Sequence, residues 1–286
     1  MLARPLNLSE SEVQRAMEYY TDLEYRTYSL VDELLAEIPE KPLRKRVSSM
    51  AFTPNEFLPK RSKRPKIEIP FLVEQIFLSY TTDEEDLDTL LQFSVLIGEY
   101  YDIYDDILDD DVATARREVI ATWQVMFPLA LRLLCRLGDD AVSYWTHRAM
   151  CLPEGQIAEA GLDPSGSLYY DIVHQQSVLF GFLAGLGAVV AGAEQNEIRN
   201  AECLGGLFFK YEQFILDAEQ YRTREATDTG EIWNAMRFMS DDELIAQLRS
   251  WQSDANQLLK TYPAERAALL ESLFSVDLDE WWSKEC

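Results

Sequence analysis

Histidine, cysteine and lysine are scarce in this chain, and each scarcity excludes something. The only two histidines, His147 and His174, cannot build a multi-histidine metal site. The four cysteines, Cys135, Cys151, Cys203 and Cys286, are scattered without a CxxC spacing. That pattern argues against a zinc site or a disulfide framework and fits a reducing, cytoplasmic setting. The 26 lysines and arginines, eight of them lysine, face 50 acidic residues, for a net charge of −24. Such a surface repels phosphates, so nucleic acid is not expected as a partner. An acidic, lysine-poor surface suits high salt, where self-repulsion is screened, and suits an ordinary acidic protein equally well. Residues 1–7 do not combine a basic start with an apolar run, so no secretory signal is expected. The longest apolar run, residues 177–193, is broken by Gly181, Gly185, Gly187 and Gly192. It falls short of the roughly 20 residues a bilayer requires, so it reads as a buried core helix and no transmembrane segment is expected. Alternating β patterns, repeats, low-complexity tracts and linkers are also missing.

What is present is helical periodicity. At 286 residues and 47% hydrophobic, the chain can bury a sizeable core as one domain, residues 1–286. Ser9 with Glu12 forms a capping-box pattern that opens a helix running to about residue 38. A short helix follows Pro42, and then a proline-containing loop over residues 52–65. Thr82 is expected to cap a helix whose first turn carries Asp83, Glu84, Glu85 and Asp86. From Phe93 onward this helix is apolar nearly all round, the mark of a buried helix. Further helices fit residues 116–138, 139–160, 168–193, 196–224, 241–259 and 263–273. An all-α domain follows.

Two local features stand out from this scaffold. The first is YYDIYDDILDDD, Tyr100–Asp111, in which six of twelve residues are aspartate. These charges lie at the C-terminal end of the apolar helix, where the helix dipole disfavours them, so capping does not explain them. Asp102, Asp105, Asp106 and Asp109 recur at i, i+3, i+4 and i+7, which puts them on one face. Asp105 and Asp109 stack about 6 Å apart, where like charges repel unless a cation bridges them. Hard divalent ions, Mg²⁺ above all, suit such oxygen donors and leave room for a diphosphate. A solvated acidic helix end is the alternative. The second feature is a basic cluster, Lys60, Arg61, Lys63, Arg64 and Lys66, which reads as an anion site or as a solvated loop.

Asp105-Asp106-Ile107-Leu108-Asp109 has the form DDxxD. With its surroundings, the chain resembles the trans-isoprenyl diphosphate synthases and, more loosely, the class I terpene synthases. Arg61-Ser62-Lys63-Arg64-Pro65 stands where that family carries a GKRLRP-like segment. Arg116-Arg117 stands near the family's double arginine, two residues late and followed by Glu118 instead of glycine. Glu154-Gly155-Gln156 matches an EGQ. Residues 175–180 and 187–192 match a KTAxLF segment and a small-residue GAxxAG. The likeness covers residues 31–232. The family's second motif, GxxFQxxDDxxD, is reduced to Gly206, Phe209 and Asp217. Lys210 replaces its glutamine, and Gln213 and Phe214 replace two aspartates. Gln175 replaces the lysine of KTAxLF, and Glu231 a later lysine.

The resemblance implies an isoprenoid-synthase-like helical bundle around a central cavity. It implies Mg²⁺-assisted ionisation of an allylic diphosphate and its condensation with isopentenyl diphosphate. Asp105, Asp106, Asp109 and Arg116 would be catalytic, with metal on Asp105, Asp109 and Asp217. Arg61, Arg64, Arg117, Lys210 and Gln175 would contact substrate. Tyr101 and Tyr100, four and five places before the motif, would floor the allylic cavity and hold products near ten to fifteen carbons. Dimers are usual in the family, so a homodimer, or a heterodimer with a related subunit, is expected. The depleted second motif keeps two alternatives open: a terpene synthase or other lyase on the same fold, and a non-catalytic partner subunit.

Overall fold

A computed structural model describes residues 4–52, 67–108, 116–154, 165–223 and 233–284 of the chain. The expected all-α architecture is what it shows. Twelve helices are described: α1 (Glu10–Ala36), α2 (Lys41–Phe52), α3 (Glu68–Tyr80), α4 (Leu87–Leu108), α5 (Arg116–Trp123), α6 (Met126–Arg136), α7 (Asp139–Ala149), α8 (Gly166–Val190), α9 (Gln195–Arg222), α10 (Asp241–Leu259), α11 (Ala264–Glu271) and α12 (Leu278–Lys284). A 3₁₀ turn, Ala235–Arg237, precedes α10. Among the described residues there is no strand, only an isolated antiparallel bridge between Leu6 and Val276.

Local chemistry sets most of the boundaries. The Ser9 box is present: the Ser9 hydroxyl accepts from the Glu12 amide, and the Glu12 carboxylate accepts from the Ser9 amide at 2.9 Å. The same reciprocal box opens α10 at Ser240 and Glu243. The Thr82 expectation needs correcting. The chain turns twice before α4, with the Asp83 amide donating to the Thr81 hydroxyl at 3.0 Å and the Glu85 amide to Asp83 Oδ1 at 3.1 Å. The short polar side chains capture amides that an earlier helix would have used, and α4 starts only at Leu87. The single helix expected over residues 116–138 is two, α5 and α6, joined by a turn at Gln124 and Val125.

Helix α3 was not evident in the sequence. Its Pro70 sits in the first turn, where the missing amide costs nothing. The rest is a short, mostly apolar block, Phe71 to Phe77, interrupted by Glu74 and Gln75, which periodicity alone does not assign. It is buried on every side.

The core runs continuously through the described helices. Its closest pairing is α8 with α9, and α3 lies across α8. Glycine makes the α8–α9 approach possible. A Cβ on Gly205 would lie 2.4 Å from the Phe180 carbonyl oxygen, and one on Gly181 would lie 2.7 Å from the Glu202 carbonyl oxygen. The apolar run expected to be a core helix is that: Leu183, Ala184, Leu186 and Ala188 of α8 are buried. The first described residues pack against later helices. Arg4 donates to both carboxylate oxygens of Glu219 and of Glu212 on α9, and the Trp281 indole also donates to Glu219.

Candidate active site

Helix α4 places the first motif. Phe93, Leu96, Ile103 and Ile107 anchor it in the core, and Tyr100, Tyr101, Asp102, Tyr104, Asp105 and Asp106 emerge half-buried along its last turns. Asp109, the last residue of DDxxD, lies outside the described residues, as do Arg61 and Arg64 of the basic loop.

Arg116 opens α5 and reaches the last turn of α4. Its Nη2 donates to the Ile107 carbonyl at 2.6 Å, in the last turn of α4. Carbonyls left unpaired at a helix C-terminus carry partial negative charge, which a guanidinium offsets. The misplaced charge at the end of α4 therefore has one cation from the protein itself beside it. Arg116 thus lies beside the last turn of α4. Arg117 is exposed on the same first turn of α5. Glu118, which follows it, is paired with Arg46 of α2.

Below the aspartates is an aromatic stack. The Trp123 indole of α5 lies parallel to the rings of Tyr100, at 4.4 Å, and of Tyr104, at 5.6 Å. Its Nε1 donates to the Tyr100 carbonyl at 2.8 Å. Tyr101 stands edge-on to Tyr100 at 5.3 Å. Burial is the main reason its hydroxyl is held neutral, its acidity pushed well below that of a free tyrosine. Tyr100 and Tyr101 thus have different surroundings. Tyr100 is held against α5 by Trp123, a residue the sequence reading did not single out.

On α9 the residues of the second motif are distributed differently. Phe209 packs on Phe180 of α8 with ring centroids 4.8 Å apart. Lys210 has Cys203 and Asp254 as its electrostatic neighbours, and burial pulls its ammonium below the ordinary lysine range. Phe214 is 0% exposed and packs on Trp251 of α10. Asp217 is 1% exposed. Its Oδ1 accepts from Gln213 Nε2 at 2.8 Å, and its Oδ2 accepts from the Ala235 amide at 2.7 Å and from the Tyr169 hydroxyl. Asn234 donates to the Asp217 carbonyl at 2.9 Å and accepts from the Met236 amide at 3.0 Å. Tyr169, Asn234 and Ala235 lie far from Asp217 in sequence, so no spacing rule would have connected them to it. On α8, Gln175 is half-buried, and its Oε1 has no hydrogen-bond partner among the described residues.

These donors differ in their fitness for a hard cation. The α4 carboxylates are half-buried oxygens of the type Mg²⁺ takes. The α9 side offers an amide, a phenyl ring and a carboxylate already accepting three hydrogen bonds. Among the described residues, no three acidic, histidine or cysteine side chains converge as a metal cage.

No protein-family model matches the sequence, and no curated protein does. Solved structures match it well. A geranyltranstransferase from Methanosarcina mazei superposes with a TM-score of 0.69 at 17% identity, over 90% of this chain and 98% of its own. A decaprenyl diphosphate synthase from Rhodobacter capsulatus gives 0.71 at 12% identity, over 91% and 96%. The geranyl diphosphate synthase small subunit from Antirrhinum majus gives 0.66 at 14% identity, over 91% and 98%. The chain has the fold of the trans-isoprenyl diphosphate synthases along nearly its whole length.

Proposed function

We propose that this protein is a divergent isoprenyl diphosphate synthase-like enzyme. It binds an allylic diphosphate through Mg²⁺ on α4, ionises it, and condenses the allylic fragment with isopentenyl diphosphate. The observation that carries the reading is the Asp105–Asp106 pair, half-buried at the end of a core helix, with Arg116 drawn to the same turn at 2.6 Å from the Ile107 carbonyl. Asp109 completes the motif in sequence. Divalent ions there would neutralise the departing diphosphate. Arg116 and Arg117 add fixed positive charge from α5. Arg61, Arg64 and Arg117 are assigned to isopentenyl diphosphate. Tyr101 and Tyr100 are assigned to the floor of the allylic cavity, with short products of ten to fifteen carbons. A single domain, a homodimer or a dimer with a related subunit, and a cytoplasmic location complete this reading.

A second reading, a non-catalytic partner subunit, is favoured by the state of α9, where Gln213, Phe214 and a hydrogen-bonded Asp217 stand in the second-motif positions. One assay separates the two. The purified chain is incubated with Mg²⁺, isopentenyl diphosphate and five-, ten- or fifteen-carbon allylic diphosphates, at low and high salt. A synthase gives short prenyl diphosphates. A partner subunit gives none, yet binds Mg²⁺-diphosphate in calorimetry. Absence of both product and binding overturns the diphosphate reading altogether.

A further inference from the structure

We propose that α9 carries no metal arm: Asp217 is the centre of a buried hydrogen-bonded knot, and any divalent ions this chain holds hang on α4 alone. The assignment of metal to α4 rests on the function proposed above; the knot does not.

The argument starts from lone pairs. An ionised carboxylate offers about four acceptor sites. At least three are occupied, by Gln213 Nε2 at 2.8 Å, by the Ala235 amide at 2.7 Å and by the Tyr169 hydroxyl. A metal ion ligated here would compete for those oxygens in a site where the side chain is 1% exposed. Ligation would leave a buried amide or phenol without a partner, and such a loss is costly.

The neighbours reinforce the assignment. Gln213 directs its amide nitrogen at Asp217, so its only acceptor would have to serve the ion, and a neutral amide is a weak Mg²⁺ ligand. Phe214 has no donor atom. Its ring lies 5.7 Å from that of Tyr169 and 5.4 Å from that of Tyr170, so it fills the space between the N-terminal end of α8 and α10. Asn234, 0% exposed, extends the knot by donating to the Asp217 carbonyl. Together these bonds fasten three separate pieces of chain: the first turn of α8, the C-terminal turns of α9, and the segment leading into α10. The positions that resemble a metal-binding motif are thus occupied by a fastening.

The test compares Asp217→Asn, Tyr169→Phe and Asp105→Asn with the wild type. Melting is followed without divalent ions, and binding of Mg²⁺ with inorganic diphosphate is followed by calorimetry. Asp217→Asn and Tyr169→Phe are expected to lower the metal-free melting temperature, by roughly 5 °C for loss of one or two buried hydrogen bonds. Both should keep the Mg²⁺-diphosphate dissociation constant within about twofold of wild type. Asp105→Asn should instead weaken Mg²⁺-diphosphate binding at least about tenfold. Should Asp217→Asn fail to fold, Tyr169→Phe still reads the knot, since it removes one donor and keeps the carboxylate. The proposal is overturned if either α9-knot variant melts like wild type without metal, or if Asp217→Asn weakens Mg²⁺-diphosphate binding as Asp105→Asn does. A wild type that binds no Mg²⁺-diphosphate overturns the function proposed above and the α4 metal assignment with it, while the metal-free melting still decides the knot.

Discussion

Restoring aspartates to the second motif is expected to unfold the protein instead of activating it. Phe214, which the resemblance sets at the position of one of those aspartates, is 0% exposed. It meets Trp251 nearly at right angles, with centroids 4.8 Å apart, and lies against Tyr169 and Tyr170. Truncating such a ring to alanine costs about 3–5 kcal/mol in lost transfer energy and cavity formation. Aspartate adds the burial of a second carboxylate one turn from Asp217. Phe214→Asp should therefore cost more than about 5 kcal/mol, which is comparable with the whole stability of a typical domain. Phe214→Leu keeps most of the apolar volume and should cost about 1–2 kcal/mol. Urea unfolding followed by far-ultraviolet circular dichroism, with and without Mg²⁺, measures both. If Phe214→Asp unfolded at nearly the wild-type urea concentration and Mg²⁺ raised that midpoint, the position would be an accessible metal ligand and the packing argument would be wrong.

Three further outcomes are expected. Removing Arg4 by Arg4→Ala leaves Glu212 and Glu219 without their shared partner and should cost roughly 3 kcal/mol in thermal or urea unfolding. Burial works against the Glu219 charge, but Arg4 and the Trp281 indole outweigh it and hold the folded carboxyl below the ordinary glutamate range. Its stabilising contribution is therefore present above the unfolded value of about 4.3 and is lost as pH falls through the lower folded value, so Arg4→Ala should flatten the acid limb of the stability profile. Gly205→Ala forces a Cβ to within 2.4 Å of the Phe180 carbonyl oxygen, which is backbone, whereas Gly185→Ala meets the end of Tyr144 at 2.0 Å. Gly205→Ala should be the costlier, at about 3 kcal/mol against about 1–2, by differential scanning calorimetry, and a gain in stability at Gly205 would refute the close α8–α9 approach. In product assays, Tyr101→Ala should lengthen the prenyl product more than Tyr100→Ala, because Trp123 holds the Tyr100 ring against α5; equal effects would place both rings on the floor alike.

Much of this was legible in the sequence because it depends on local rules. The Ser9 box, the buried middle of α4 and the glycine-laced α8 follow from capping, periodicity and side-chain size, which a few neighbouring residues determine. One missed feature is a local competition: Thr82 lost its capping role because Thr81 and Asp83 captured the nearby amides first. The others depend on distant partners, as with helix α3, a mostly apolar block whose helical state is decided by burial on all sides. The same division runs through the candidate site. The α4 aspartates are readable as a set because i, i+3, i+4 spacing is itself the geometry. Asp217 is readable only as a letter of a motif. Its donors come from 48 and 18 residues away as well as from one turn up the helix. A motif records which donor atoms a position possesses; whether those donors remain available to a ligand is decided by what the rest of the chain brings to them. On α4 the chain brings Arg116 to the Ile107 carbonyl, and Asp105 and Asp106 stay half-buried at the helix end. On α9 it brings three hydrogen-bond donors to one buried carboxylate, and the same residue type becomes part of the scaffold.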